Sequence, residues 1–236
     1  MDPEVIKHYL LYKKHVEETD YDMHNRSMNS DLPKYGTIKP SGMMESLRFQ
    51  ALYMDAARLS ILTREERPFI DKLDSIINQI KELKIEKEYM NSRCYPTGIA
   101  MEGNIMILGE APGVKGRAIQ ENWLKPSFVF TRTSWILRRA LMSTFKIAPY
   151  LTNACKFACE KNIVKNHDFD KCIHILKQEI DLIKPKKVVV LGNNAYNYFR
   201  NNFSIECVKV MHPSATLYMG MSFEDYLKLW KHASID

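Results

Sequence analysis

From residue 104 onward the chain repeats one rhythm: a short run of β-forming apolar residues, then a loop, then a stretch with helical spacing. The runs are "IMIL", "YLTNAC", "KVVVL" and "IECVKV", and the first three precede helices predicted over Thr133–Thr144, Asp168–Ile183 and Asn193–Arg200. A last helix is predicted to open at Ser222, with Asp225 three residues on. Strands that alternate with helices in this way pair in parallel, with helices covering both faces, so the expected fold is a three-layer α/β/α sandwich around a mainly parallel sheet. In such a sheet, ligands sit beyond the carboxyl ends of the strands. The loops "GEAPG", "TNACK", "GNN" and "HPSAT" all fall there.

The first hundred residues have a different character. Through "NRSMNSDLPKYGTIKPSG" the chain is rich in Asn, Ser, Pro and Gly, which reads as an arm or loop-rich lead-in. From Met44 the pattern turns helical. "TREERPFIDKLDSIINQIKELKIEKEYM" sets Thr63 and Glu66 as a capping box and places Ile70, Leu73, Ile77, Ile80 and Leu83 on one apolar face. Packing against the following domain outweighs a partner-binding role for that face. The expected organisation is an N-terminal arm and helical extension over residues 1–100, then an α/β domain over 101–236.

Composition narrows the partners. With 236 residues, 45% of them apolar, the chain can bury a substantial core. No secretory signal and no long apolar run is visible, so an intracellular protein without a membrane span is expected. Five cysteines, an odd number, argue against a disulfide framework and leave free thiols or metal ligands. Residues 1–100 carry 15 Lys+Arg against 16 Asp+Glu, whereas residues 101–236 carry 19 against 12, a net of +7. A basic domain attracts polyanions, nucleic acid foremost, although solvated lysines alone produce the same count.

Each loop suggests a chemistry. Gly109 and Gly113 let the backbone turn sharply and approach a ligand, Pro112 stiffens the turn, and Glu110 is held where a carboxylate can orient a water or stabilise positive charge. Capping the next turn is the bland alternative for Glu110. "GEAPG" is neither a phosphate-cradling nor a dinucleotide-binding glycine loop, so a nucleotide cofactor loses support. Phe128 and Phe130 precede a helix carrying Arg138 and Arg139, and such aromatics stack on bases or, more often, pack in a core. Asn153 ends a strand, where its amide can read a pyrimidine edge as donor and acceptor or simply form a turn. His212 follows a strand directly, with Pro213 and Ser214 able to fix the loop against a phosphate.

Taken in order, "LGEAPG", "PSFVFTRT", "YLTNACK", "KPKKVVVLG" and "HPSA" resemble the uracil-DNA glycosylase superfamily, most closely its family four type from bacteria and archaea. The corresponding loops there read GEAPG, PFVGRAG, TNVVK, RPKVIVALG and HPA or HPS, and the resemblance covers roughly residues 100 to 220. It implies an enzyme that flips a nucleotide out of DNA and hydrolyses its N-glycosidic bond. Carried over by position, Glu110 assists the attacking water or stabilises the sugar cation, and His212 hydrogen-bonds the base oxygen. Phe128 stacks on the base, Asn153 reads its edge, and Gly109 and Ala111 complete the base pocket. Pro112, Gly113, Ser214 and Leu217 face DNA, with Leu217 or Tyr218 wedging into the gap that flipping leaves.

The resemblance has departures. Here "VKGRAIQENWLKPSFVFTRTS" puts Phe130, Thr131 and Thr133 where the family has small residues, so the substrate is expected to be uracil or a modified pyrimidine. Family four members hold a 4Fe-4S cluster on four cysteines. Cys172 matches the last ligand, but another family cysteine falls on Phe157, with Cys155 and Cys159 two residues to either side, and upstream only Cys94 is present. Cys94, Cys155, Cys159 and Cys172 stand either as a cubane's four thiolates or as ordinary buried thiols. The hydrolysis itself requires no cofactor. The expectation is a monomeric, monofunctional DNA glycosylase. The alternative is a glycosylase fold kept as a weakly active or inactive DNA-binding or replication-partner protein.

Overall fold

Alternate residues of the two inner strands of the sheet, Met106–Gly109 and Val188–Leu191, supply the two halves of the core, which is why those runs carry no polar alternation. The computed structural model describes residues 67–85, 93–98, 100, 102–113, 124–128, 132–145 and 149–233. Four strands form the central sheet: β2 (Met106–Gly109), β4 (Tyr150–Asn153), β5 (Val188–Leu191) and β6 (Cys207–Val210). They are all parallel, in the order β4-β2-β5-β6. A second, two-stranded parallel sheet joins β1 (Arg93–Tyr95) to β3 (Leu124–Pro126). It is tied to the central sheet's edge by Thr97 and Leu151, which exchange backbone hydrogen bonds of 2.8 and 2.7 Å.

On one face of the sheet, Met106, Leu108, Tyr150, Val188 and Val190 pack with α1 (Arg67–Glu82), α4 (Ile173–Ile183) and α5 (Asn193–Asn202). On the other, Ile107, Leu151, Val189, Leu191 and Val210 pack with α2 (Arg132–Thr144) and α7 (Phe223–Lys228). This is the three-layer arrangement expected from the strand and helix rhythm. The apolar face of α1 does pack on this domain: Leu73, Ile76 and Ile80 are buried in the first core, and Gln79 and Gln178 exchange side-chain hydrogen bonds of 2.8 Å with α4. Residues 67 to 236 accordingly make one compact unit.

The helix expected over 168–183 is two pieces, α3 (Asn166–Asp170) and α4, interrupted at Lys171 and Cys172. Ser222 caps α7 as the sequence suggests, its Oγ accepting from the Asp225 N–H at 3.0 Å. A one-turn helix α6 (Ala215–Tyr218) follows β6. The lead-in over residues 1–40 and the Thr63–Glu66 capping box lie outside the described residues. No helix among the described residues is long and apolar enough to cross a membrane.

One polar network crosses the first core. Lys156 and Glu179, both 0% exposed in their side chains, pair at 2.5 Å, and Thr152 Oγ1 accepts from Lys156 Nζ at 2.6 Å while donating to Glu179. Tyr150 also donates to Glu179, at 3.3 Å. Burial pushes the Glu179 carboxyl up, against the pull of Lys156 and the hydroxyl donors. Tyr150 and Thr152 belong to β4 and Lys156 to the loop it feeds, so the network anchors the strand that ends in Asn153 to α4.

Candidate active site

Because β2 and β4 are parallel and in register, their last residues, Gly109 and Asn153, lie side by side. Asn153 is two residues past Leu151, so its side chain stands on the face covered by α2 and α7. There it is buried, with Nδ2 donating to Ser127 Oγ at 3.2 Å and to Cys94 Sγ at 3.3 Å. Both amide protons are thereby engaged, which leaves Oδ1 as the acceptor atom of this side chain. Oδ1 and the tip of the Phe128 ring meet over Gly109, where an added Cβ would collide with both. Close approach of two side chains requires glycine here.

Phe128 enters from the turn after β3 with φ at 55°, a left-handed conformation that costs a side-chain-bearing residue about 1–3 kcal/mol and is held only where the surroundings dictate it. The turn is fixed from behind: the Ser127 N–H donates to Tyr95 O at 2.9 Å, and Thr97 Oγ1 donates to Ser127 O at 3.2 Å. Gly109, Ser127, Phe128 and Asn153 thus form one wall.

Glu110 follows on the neighbouring rim. Its carbonyl accepts from the Cys155 N–H at 2.9 Å and that of Gly109 from the Ala154 N–H at 2.9 Å, so the loop after β4 pins the backbone of the motif. The Glu110 side chain is half-buried, and its Oε1 accepts from Asn194 Nδ2 at 2.8 Å. Asn194 stands in the first turn of α5 and also donates to Val164 O at 3.1 Å. Ala111 packs against the first core, Pro112 is buried, and Gly113 is exposed beside Asn162.

His212 lies two residues beyond β6. Its Nδ1 is 2.7 Å from Ser214 Oγ and accepts the Ser214 backbone N–H at 3.3 Å. A backbone N–H can only donate, so Nδ1 is the acceptor and the ring proton sits on Nε2. Burial pushes the imidazole below its ordinary range, which keeps it neutral at pH 7. Gly192, at φ 89°, holds the preceding β5 loop against this segment, its N–H donating to Val210 O at 2.9 Å. Ser214 therefore faces His212. Beyond it Leu217 is half-buried, whereas Tyr218 is 80% and Met219 68% exposed.

Across the sheet, the carboxyl ends of β4, β2, β5 and β6 thus carry Asn153, Glu110, Asn194 and His212 in that order. Phe130 and Thr131 lie outside the described residues. Ser127 and Asn194 are site residues that motif reading passes over. Asn194 was within reach, since it belongs to the "GNN" loop at a strand end, and Ser127 precedes Phe128 in "KPSF". That a thiol, Cys94, takes the second amide proton of Asn153 had no signal in sequence.

The four cysteines named as a ligand set separate into three and one. Cys155, Cys159 and Cys172 are buried together in the α1/α4 core, with Cys155 and Cys159 Sγ 3.8 Å apart. Burial pushes the Cys155 thiol well up, while the Cys172 thiol is lowered, first by the hydrogen bond from Cys155 and also by the Lys156 N–H at 3.2 Å. Cys94 instead turns its sulfur to Asn153. Among the described residues no group of three or more His, Cys, Asp or Glu is arranged to hold a metal ion.

No curated protein matches the chain. The family model described as "Uracil DNA glycosylase superfamily" matches residues 96–234, well over half of the chain and all of the strand-end loops described above. With that span, the chain belongs to the uracil DNA glycosylase superfamily.

Proposed function

We propose that this protein is a monofunctional DNA N-glycosylase that flips uracil or a related modified pyrimidine out of DNA and hydrolyses its N-glycosidic bond, leaving an abasic site. The observation that carries the reading is the meeting of Asn153 Oδ1 and the Phe128 ring over Gly109, one residue from Glu110. It provides an aromatic stacking surface and a hydrogen-bond acceptor fixed by two donations from its own amide nitrogen. An acceptor suits the N3–H of uracil, which cytosine lacks.

In the reaction the C1′–N1 bond breaks with its electron pair going to the base, and water supplies the hydroxyl that ends on C1′. Glu110 orients that water or stabilises the positive charge growing on the sugar. His212, neutral and with its proton on Nε2, donates to the base oxygen that gathers the negative charge. No amine nucleophile is placed by any motif, so lyase chemistry is not part of the reading. The +7 balance of residues 101–236 suits a polyanionic partner. Within the superfamily, motif order favours a family four affinity. Cys172 matches the last of that type's iron–sulfur ligands, Cys155 and Cys159 are buried in the same core, and Cys94 is the remaining candidate thiolate; iron and labile sulfide measured after anaerobic purification test the affinity.

The experiment is base release from labelled oligonucleotides containing uracil or modified pyrimidines, single- and double-stranded, followed by alkali. Strand breaks that fall about 10²-fold or more in Glu110→Ala are the expected result. Salt-sensitive DNA binding with no release from any base would favour the inactive DNA-binding alternative.

A further inference from the structure

We infer that Asn194 is a positioning residue for Glu110, an inference that rests on the glycosylase reading above. A glutamate at the rim of a sheet has three side-chain torsions, and holding them costs free energy unless a fixed partner is supplied. Asn194 is such a partner. One proton of its Nδ2 goes to Glu110 Oε1 at 2.8 Å and the other to Val164 O at 3.1 Å, so the amide itself is held from a second side. Its backbone is equally fixed, in the first turn of α5 directly after β5.

Three separate segments therefore meet at one nitrogen: the β2 loop through Glu110, the β5 loop through Asn194, and the segment before α3 through Val164. Amide nitrogen can donate but not accept, so it engages Glu110 Oε1 and leaves Oε2 for the water or the sugar. Asn194 does not touch the reacting atoms in this assignment. It acts through Glu110, by keeping the second carboxylate oxygen at one place while the bond breaks.

The test is a double-mutant cycle read by single-turnover base release, with enzyme in excess over a uracil oligonucleotide. Asn194→Ala is expected to lower the maximal release rate about tenfold while leaving the half-saturating enzyme concentration unchanged. Asn194→Asp, which keeps the shape but replaces the donor with a second carboxylate beside Glu110, is expected to lose at least as much. It also keeps the test open should the alanine variant unfold. In a Glu110→Ala background, Asn194→Ala is expected to have no further effect. An equal loss in that background, a loss confined to half-saturation, or a wild-type rate in Asn194→Asp would overturn the inference. A wild-type chain that releases no base from any oligonucleotide would overturn the glycosylase reading, and this inference with it; an active wild type with uncoupled variants overturns this inference alone.

Discussion

Gly109 and Asn153 occupy paired register positions on β2 and β4, and the missing side chain of the first leaves room for the side-chain amide oxygen of the second to meet the Phe128 ring. Gly109→Ala forces either Asn153 or Phe128 away. The expected loss of base release is about 10²-fold, the scale on which misplaced site groups act. Since the clash is with two side chains and not with backbone, thermal unfolding should shift by only a few degrees. A variant with wild-type release would show that the wall is not where the base sits.

Asn153→Asp converts a donor and acceptor into a group that only accepts when ionised and also donates when protonated. Nδ2 no longer supplies Ser127 and Cys94, and the new carboxyl is buried. Uracil release should fall by about tenfold or more, and cytosine should gain relative to uracil, because a protonated carboxyl can donate to a ring nitrogen that lacks hydrogen. Release from paired uracil and cytosine oligonucleotides in one reaction measures the ratio.

On the proposed reading, His212 should set part of the acid limb of the pH–rate profile. Its folded pKa is depressed by burial, so the unfolded chain takes up the proton first as pH falls. Stability linked to this group is complete above the ordinary imidazole value of about 6.5 and is lost as pH falls through the lower folded value. Activity should hold at pH 6.5 and decline only below it. Ser214→Ala removes the hydroxyl 2.7 Å from Nδ1 and is expected to slow release about tenfold by loosening the tautomer. A limb at or above pH 7 in the wild type would contradict the neutral, buried ring.

Lys156 and Glu179 form a wholly buried pair beneath the strand that presents Asn153. Lys156→Met strands a buried carboxyl and should cost about 3–5 kcal/mol, measured by denaturant unfolding. The double variant Lys156→Met/Glu179→Leu should lose less than either single change, since no uncompensated charge remains. Additive losses would mean that the two side chains are not coupled.

Tyr218 is exposed beyond the His212 loop and Leu217 half-buried, and on the proposed reading these side chains would fill a vacated base stack. Tyr218→Ala and Leu217→Ala should each slow release from duplex DNA by about tenfold and leave single-stranded DNA almost unaffected, because only a duplex has a stack to hold open. Equal losses on both substrates would assign these residues to general binding.

Much of the architecture was legible in the chain. Each β-forming run marks a strand of the central sheet to within two residues, and the two inner strands, β2 and β5, are buried on both faces and apolar apart from Gly109, as such strands have to be. The break at Lys171 and Cys172 was not, since both flanks continue a helical pattern. Neither was the pairing of β1 with β3, two three-residue strands separated by 28 residues and too short to carry a period. Motif order placed Gly109, Glu110, Phe128, Asn153 and His212 at strand ends or in adjoining loops. It named Cys94 with the other thiols as the upstream cysteine of the family's pattern; that Cys94 touches Asn153, and that the other three are buried in the core on the other face, was not legible.

What the sequence determined by itself is the set of chemical groups and the rim that carries them, because periodicity specifies strands and a parallel sheet puts all their carboxyl ends on one side. What only the tertiary structure decided is which groups touch. The register of β2 against β4 sets Gly109 beside Asn153, the left-handed turn brings in Phe128, and the start of α5 brings Asn194 to Glu110. Contacts between residues 44 or 84 positions apart arise from packing geometry, on which local residue preference has no purchase.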